Sequence, residues 1–160
     1  MQLPIEDHGI VGDLRTCALV GLDGTIDFLC WPRFDSPSVF ASILDDERGG
    51  AFALAPELDG IRHRQLYLPD TNVLLTRFMT PGGVAEVSDF MALDTADGRQ
   101  RLVRRAKAVR GTIGFRMHCA PAFDYARADG EAHEDDGAVV LSSRGSDKVA
   151  LRLTSDAPLA

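Results

Sequence analysis

The chain has 160 residues, a hydrophobic fraction of 45% and a charged fraction of 26%, enough for one soluble domain with a core. Its net charge of −7 argues against a nucleic-acid partner, because that affinity depends on clustered lysine and arginine. No apolar run approaches the roughly 20 residues of a membrane span, and the first residues lack the pattern of a secretion signal. We therefore expect a cytoplasmic protein that binds neither nucleic acid nor membrane.

The first clear element is a β-hairpin centred on Asp23-Gly24. This dipeptide separates two apolar runs, at 18–22 and 26–31. A type I′ turn needs positive φ at both central residues, which Asp tolerates and Gly adopts freely. The pattern predicts strands over 16–22 and 25–31. The second strand has apolar residues on both faces, which predicts that it is covered on both sides.

The next stretch combines a strand end, a charged loop and a predicted helix start. Pro32 cannot donate to a strand ladder, so the second strand is expected to stop there or to lie at a sheet edge. Residues 33–35 (Arg-Phe-Asp) then form a short loop. Ser36 can cap a helix that begins at Pro37, and apolar residues at helical spacing predict that this helix runs over about 37–45 and packs on the sheet.

The remaining chain contains mostly short alternating segments. Residues 102–110 are ambiguous between helix and strand, and we favour a strand that forms a hairpin with 113–119. Residues 129–137 are predicted to form an acidic loop. The other predicted strands are at 51–55, 62–68, 72–79, 84–91, 138–143 and 149–154. Many short strands with one helix predict a mainly β fold, an antiparallel β-sandwich, in a single domain over 1–160.

The cysteines and histidines do not predict a metal or cofactor site. Cys17 and Cys30 flank the predicted hairpin turn, so a cross-strand disulfide is conceivable, but free thiols fit a cytoplasmic chain better. Cys119 is far from both in the sequence. No Cys-x-x-Cys or Cys-x-x-His spacing occurs, so zinc is not supported. The four histidines are isolated from one another, at His8, His63, His118 and His133.

Several short segments follow one another in an order typical of one enzyme family. They are residues 5–9 (Ile-Glu-Asp-His-Gly), 12–16 (Gly-Asp-Leu-Arg-Thr), 19–30 (Leu-Val-Gly-Leu-Asp-Gly-Thr-Ile-Asp-Phe-Leu-Cys), 32–37 (Pro-Arg-Phe-Asp-Ser-Pro), 67–74 (Tyr-Leu-Pro-Asp-Thr-Asn-Val-Leu), 87–91 (Val-Ser-Asp-Phe-Met), 102–105 (Leu-Val-Arg-Arg) and 120–125 (Ala-Pro-Ala-Phe-Asp-Tyr). The set covers nearly the whole chain. It resembles the N-terminal domain of bacterial glycoside hydrolases of family 15, the glucoamylase and trehalase-like enzymes.

The resemblance implies that the parent protein hydrolyses α-glucosidic bonds with inversion, which requires two carboxyl groups about 6.5–9.5 Å apart. In that family both glutamates belong to a large α/α barrel, which this chain does not include. The resemblance therefore implies that 1–160 is a truncated N-terminal sandwich domain with no catalytic residue and no cofactor. Its expected partners are the C-terminal barrel and an α-glucoside, and an unpaired strand edge would favour a homo-oligomer.

The best candidate for substrate binding is the set Trp31, Arg33, Phe34 and Asp35. A tryptophan face stacks on a pyranose ring, and Arg with Asp can hydrogen-bond sugar hydroxyls. The alternative is a domain-interface loop with Trp31 in the core and an Arg33–Asp35 ion pair that holds the turn. Many members of the family carry the tryptophan three residues earlier, on the opposite strand face, so its role there does not transfer directly to Trp31. The acids Asp7, Asp27 and Asp89 lie in the resembling segments without an assignable role.

Two other functions remain open from the sequence. An independent carbohydrate-binding module would need an exposed aromatic platform, and a structural or oligomerisation domain would need none. The basic run at 101–110 lacks interleaved aromatic residues and is interpreted as a solvated strand face or a contact with the missing barrel. The acidic run at 129–136 does not match the spacing of a calcium-binding loop.

Overall fold

A computed structural model describes residues 3–57, 60–93 and 95–159. Within these ranges lie a 3₁₀ turn at Ile5–Asp7 and a single left-handed turn at Phe123–Ala126. No helix among the described residues is long and apolar enough to cross a membrane. The strands are β1 (His8–Gly12), β2 (Cys17–Gly21), β3 (Thr25–Cys30), β4 (Ser38–Phe40), β5 (Ala51–Pro56), β6 (Arg62–Tyr67), β7 (Leu74–Thr80), β8 (Gly83–Met91), β9 (Leu102–Gly111), β10 (Phe115–Ala120), β11 (Gly130–Asp135), β12 (Ala138–Ser143) and β13 (Ala150–Leu153).

The strand pairings are antiparallel and define three sheets. The large sheet has the strand order β1-β2-β3-β5-β10, and β4 also pairs with β3. The four-stranded sheet has the order β6-β7-β8-β9, and the three-stranded sheet has the order β11-β12-β13. The predicted mainly β, antiparallel fold is confirmed.

The large sheet and the four-stranded sheet pack face to face. Burial alternates along β8, because successive side chains of a strand point to opposite faces. Its buried residues face the large sheet. Met91 joins the main core, in which Val20, Ile26 and Leu29 pack with Leu74, whereas Val87 belongs to a smaller cluster with Leu54 and Phe78. Complete burial of an apolar side chain of this size contributes about 1.5–3 kcal/mol. This packing is the predicted β-sandwich.

The predicted hairpin between β2 and β3 is present, but its turn is not type I′. Only Gly24 has a positive φ, 84°, and its N–H donates to the Gly21 carbonyl at 3.0 Å. The Asp23 carboxylate accepts from the Thr25 N–H at 2.9 Å, so Asp23 stabilises the turn through its side chain. A Cβ at Gly24 would lie 2.6 Å from the Leu54 carbonyl oxygen, so the close approach of β5 requires glycine here.

The prediction of a helix over about 37–45 is wrong. Residues Ser38–Phe40 form β4, in which Phe40 pairs with Leu29 of β3, and turns follow to Gly49. The Ala41 N–H donates to the Gly49 carbonyl at 2.7 Å, which closes a loop instead of continuing a helix. Pairing with β3 buries all three residues of β4. The free energy gained from this tertiary packing outweighs the local preference for a helix.

Two predictions in the second half of the chain are also corrected. Residues 102–110 do form a strand, but β9 pairs with β8, whereas β10 pairs with β5 in the other sheet. The connection between β9 and β10 therefore crosses between the two layers of the sandwich and is not a hairpin. Most of the predicted acidic loop at 129–137 is strand β11, paired with β12.

The three cysteines are free thiols, as the sequence favoured. Ala18 pairs with Leu29, which places Cys17 and Cys30 beside each other on neighbouring strands. Burial raises the pKa of the Cys17 thiol, and the neighbouring Cys30 raises it further. Burial also raises the pKa of Cys119 to about 11. The thiols of Cys17 and Cys119 are therefore protonated and weakly nucleophilic at neutral pH.

A buried ion pair connects the two sheets. Arg104 of β9 donates from Nε to Asp89 Oδ1 of β8 at 2.8 Å, and the two side chains are 3% and 0% exposed. The same guanidinium donates to the backbone carbonyls of Phe52 at 2.5 Å and of Gly24 at 2.6 Å. It also lies over the Phe52 ring, 4.8 Å from the centroid. One side chain thus joins the four-stranded sheet to the β2–β3 turn and to β5.

We expect Arg104→Met to lower the free energy of unfolding by about 3–5 kcal/mol, because it leaves the Asp89 carboxylate buried and unpaired. Arg105→Met is the matched control, since Arg105 is the next residue and its side chain is exposed. The control should change stability by less than about 0.5 kcal/mol. Urea unfolding of both variants measures the difference, and equal midpoints would contradict the role of the buried pair.

Candidate functional site

An open cleft of about 570 Å³ lies at one end of the sandwich. Three loops meet there: the β1–β2 loop, the β3–β4 loop and the β8–β9 loop. Because β1 runs antiparallel to β2 and β2 to β3, the end of β1, the start of β2 and the end of β3 lie at the same edge of the large sheet. The cleft is lined by Leu14, Arg15, Pro32, Arg33, Phe34, Asp35 and Gln100.

Asp13 organises the β1–β2 side of the cleft. Its Oδ1 accepts from the N–H groups of Arg15 and Thr16, each at 2.9 Å, and its Oδ2 accepts from Gln100 Nε2 at 2.6 Å. Burial alone would raise the pKa of Asp13, but these hydrogen bonds, the one from Gln100 foremost, hold its pKa below the usual value. The carboxylate therefore stays ionised and fixes the loop.

The β3–β4 loop is held against its neighbours by backbone hydrogen bonds. The Trp31–Pro32 peptide is cis. Gln100 Nε2 donates to the Pro32 carbonyl at 3.0 Å, and the Phe34 N–H donates to the Arg15 carbonyl at 2.9 Å. Gln100 therefore binds both Asp13 and Pro32 and connects all three loops.

The structure brings three of the four predicted site residues into the cleft. Arg33 Nε donates to Asp35 Oδ1 at 2.8 Å, and both side chains are exposed. The bond from Arg33 lowers the pKa of Asp35 and raises the pKa of Arg33 in turn. Phe34 is 60% exposed and lies between them in the sequence. Trp31 does not line the cleft: it is half-buried and packs on the hydrophobic core.

Sequence reasoning missed the residues on the other side of the cleft. Leu14 is 89% exposed and has a φ of 69°, a left-handed conformation that is uncommon outside glycine. Its neighbour Arg15 is also exposed. Gly12 and Asp13 are residue types that favour turns, and this is the signal for the loop in the sequence. Gln100 gave no signal, because its partners are distant in the sequence.

The cleft combines cations, one carboxylate and exposed apolar groups. Arg15 and Arg33 supply donors, Asp35 supplies an acceptor, and Leu14 and Phe34 supply apolar surface. This set suits a polyhydroxylated ligand with an apolar ring face. Among the described residues that line the cleft, Asp35 is the one carboxylate, whereas inverting glycoside hydrolysis needs two.

Asp27 and Asp89, two other acids in the resembling segments, are paired with basic side chains elsewhere. Asp89 binds Arg104 in the interior. Asp27 Oδ2 lies 2.6 Å from His8 Nε2, and His8 Nδ1 lies 3.0 Å from the Pro4 carbonyl oxygen. Pro4 offers only an acceptor, so Nδ1–H donates to it and a second proton must lie between Nε2 and Asp27. The His8–Asp27 pair therefore holds a second proton in addition to the one on His8 Nδ1.

A left-handed turn lies after β10. Asp124, Tyr125 and Ala126 have φ values of 51°, 56° and 60°, and none is glycine. The Tyr125 N–H donates to Ser38 Oγ at 3.0 Å, and the Tyr125 hydroxyl lies 3.7 Å from Cys30 Sγ. Left-handed residues other than glycine cost about 1–2 kcal/mol each, so these contacts must hold the turn in place.

The family comparison shows which class of domain this chain is. The family model described as trehalase-like, N-terminal, matches residues 1–154, and the chain belongs to this family of domains. The resemblance read from the sequence is thereby confirmed. No solved structure matches the chain significantly.

The similar curated proteins are trehalases. The trehalase of Mycolicibacterium smegmatis is 35% identical over 178 residues, which is 96% of this chain and 26% of that protein. The trehalase of Thermoplasma volcanium is 32% identical over 160 residues, covering 97% of this chain and 25% of that protein. That of Thermoplasma acidophilum is 40% identical over 117 residues. The chain thus spans about a quarter of the length of the first two relatives.

The His8–Asp27 pair predicts a pH-dependent stability. Burial alone would lower the pKa of His8, but its hydrogen bond to Asp27 and the charge of Asp27 outweigh burial and raise it; burial also raises the pKa of Asp27. A raised pKa means that the folded state binds the proton more tightly than the unfolded state. The unfolding free energy should therefore fall as the pH rises above about 6.5.

Urea unfolding at several pH values measures this slope. His8→Gln should flatten the slope above about pH 6.5, because it removes the titrating ring. His133→Gln is the control: His133 is exposed on β11, and its replacement should leave the slope unchanged. A slope that survives His8→Gln would show that another group causes it.

The left-handed turn predicts a stabilising substitution. Ala126 is exposed, so Ala126→Gly removes little packing and relieves the positive φ. We expect Ala126→Gly to raise the free energy of unfolding by up to about 1 kcal/mol. This value is the relief of backbone strain less the cost of the larger backbone entropy that glycine has in the unfolded chain. Ala132→Gly in β11 is the matched control and should lose about 0.5–1 kcal/mol, because glycine weakens a strand. Thermal unfolding compares them; destabilisation by Ala126→Gly would contradict the strained turn.

Proposed function

We propose that the chain is the non-catalytic N-terminal domain of a longer enzyme that hydrolyses α-glucosidic bonds with inversion, as in glycoside hydrolase family 15. The observation that carries the proposal is the family match over residues 1–154, together with relatives that are trehalases about four times as long. The catalytic partner is an α/α barrel C-terminal to this domain. The three free thiols fit a cytoplasmic location.

The composition of the cleft supports a non-catalytic role. Among the described lining residues the one carboxylate, Asp35, is bound to Arg33, which lowers the pKa of Asp35. A general acid for glycoside hydrolysis needs the opposite shift, a raised pKa, so that it carries a proton at neutral pH. Asp35 therefore suits hydrogen bonding to a hydroxyl group better than proton transfer. The barrel supplies the two carboxyl groups of the reaction.

In the assembled enzyme the β3–β4 loop contributes to the substrate pocket. Arg33 and Asp35 hydrogen-bond sugar hydroxyls, and Phe34, which is 60% exposed, covers the apolar ring face. Trp31 contributes by anchoring the loop, since its ring packs on the core directly before Pro32. The substrate is an α-linked glucoside, and trehalose is the first candidate because of the relatives' names.

A second candidate function is an independent carbohydrate-binding module, which the exposed Phe34 ring beside Arg33 favours. Titration of the 160-residue chain with trehalose, maltose and a soluble glucan, followed by NMR, separates the two functions. Shifts confined to the cleft at millimolar sugar would favour the module. The accessory-domain proposal predicts no such response from the chain alone.

We expect Arg33→Ala in the full-length enzyme to lower kcat/KM by about tenfold, mainly through KM, because a hydrogen bond from a charged donor to the sugar is lost. Arg48→Ala is the matched control: Arg48 also forms an exposed ion pair, with Asp45 at 3.0 Å, but does not line the cleft. Steady-state kinetics on the preferred glucoside compare the variants. Equal kcat/KM in Arg33→Ala and the wild type would refute the role of the loop.

A further inference from the structure

The outer face of the four-stranded sheet carries an unusual distribution of charge. Thr76, Phe78 and Asp89 point inward to the large sheet, so the residues between them on β7 and β8 point outward. By the strand register, the outward set of described residues includes the cations Arg62, Arg64, Arg77, Arg105, Lys107 and Arg110 and the single acid Glu86. This face, with six cations and one acid, lies on a chain of net charge −7.

The cations are concentrated on the two edge strands. Arg62 and Arg64 are exposed on β6, and Arg105 and Lys107 are exposed on β9. Among the described residues none of these four forms an ion pair. In the middle, Arg77 Nε donates to Glu86 Oε1 at 2.8 Å, which makes a neutral pair. Arg64 stands directly opposite Arg77, an arrangement of like charges that an external anion would stabilise.

The surface between the two cationic edges is apolar around the Arg77–Glu86 pair. Its accessible apolar side chains are Leu66, Met79, Val84 and Phe90. Leu75 and Ser88 also point outward by the register, but Leu75 is only 7% exposed and Ser88 adds a hydroxyl group. The edge strands are three strand spacings apart, about 14 Å. An α-helix with its side chains is about 10–12 Å wide, so a helix lying between the edges would bring its two flanks within reach of both rows of cations.

We propose that this face docks an amphipathic α-helix with acidic flanks, supplied by the part of the longer protein outside this domain. Only the source of the helix rests on the proposed function; the chemistry of the face is independent of it. The apolar stripe of the helix covers the central side chains, and its acidic flanks pair with Arg64 on one side and Lys107 on the other.

The same features argue against two other occupants. A second copy bound through the same face would place six cations opposite six cations, and these like charges repel each other. A nucleic acid needs phosphate contacts across its width or exposed aromatic rings for stacking. The centre of this face offers apolar side chains and a neutral ion pair. The one aromatic ring among its described residues, Phe90, is half-buried.

Hydroxyl-radical footprinting of the full-length gene product and of the 160-residue chain tests the inference, with oxidation of Leu66 and Met79 as the readout. We expect both residues to be oxidised severalfold more slowly in the full-length protein. Arg64→Glu combined with Lys107→Glu should weaken docking by about tenfold and restore oxidation. The exposed Lys148→Glu, outside this face, is the matched control and should leave the protection intact.

Equal oxidation in both proteins would overturn the inference. So would protection that disappears on dilution, which indicates a second copy, or on nuclease treatment, which indicates nucleic acid. Glucoside hydrolysis by the same full-length sample is scored separately. Protection of Leu66 and Met79 without hydrolysis would support the docked helix and contradict the proposed enzymatic function. Hydrolysis without protection would support the enzymatic function and contradict the docked helix.

Discussion

The sandwich depends on the buried contact between Arg104 and Asp89. A buried ion pair adds little net stability compared with apolar packing, but separating its charges is costly because each is left unpaired in the interior. Arg104 also binds the carbonyls of Gly24 and Phe52, so a one-residue slip of β9 would break contacts in both layers. The pair therefore specifies how the two sheets are aligned.

That alignment positions the cleft. Gln100 precedes β9 closely, and its amide reaches Asp13 and the Pro32 carbonyl only when β9 lies in its observed register. The β2–β3 turn, held by Arg104 at the far end, sets the register of β3 and hence the place where the Arg33–Asp35 loop begins. The cleft is thus formed by loops whose positions follow from an interaction in the interior.

Local alternation was sufficient to predict most strands and the antiparallel class, because β strands of a sandwich have one buried face. Local alternation failed where pairing between segments distant in the sequence determines the structure. Residues 38–40 have a helical pattern yet pair with β3, and β9 and β10 are adjacent in the sequence yet join different sheets. The Arg33–Asp35 loop was visible as a charged break after a strand. Gln100 and the left-handed turn at 124–126 could not be predicted from the sequence, because their positions depend on contacts between distant segments that exist only in the folded protein.

The central claim is that this domain serves a glucoside hydrolase without catalysing the reaction itself. Its most direct test is hydrolysis of a panel of α-glucosides, trehalose and maltose among them, by the full-length gene product and by the 160-residue chain under the same conditions. The account predicts activity in the full-length protein and none in the chain. Turnover by the 160-residue chain, or none by the full-length protein on any α-glucoside, would contradict it.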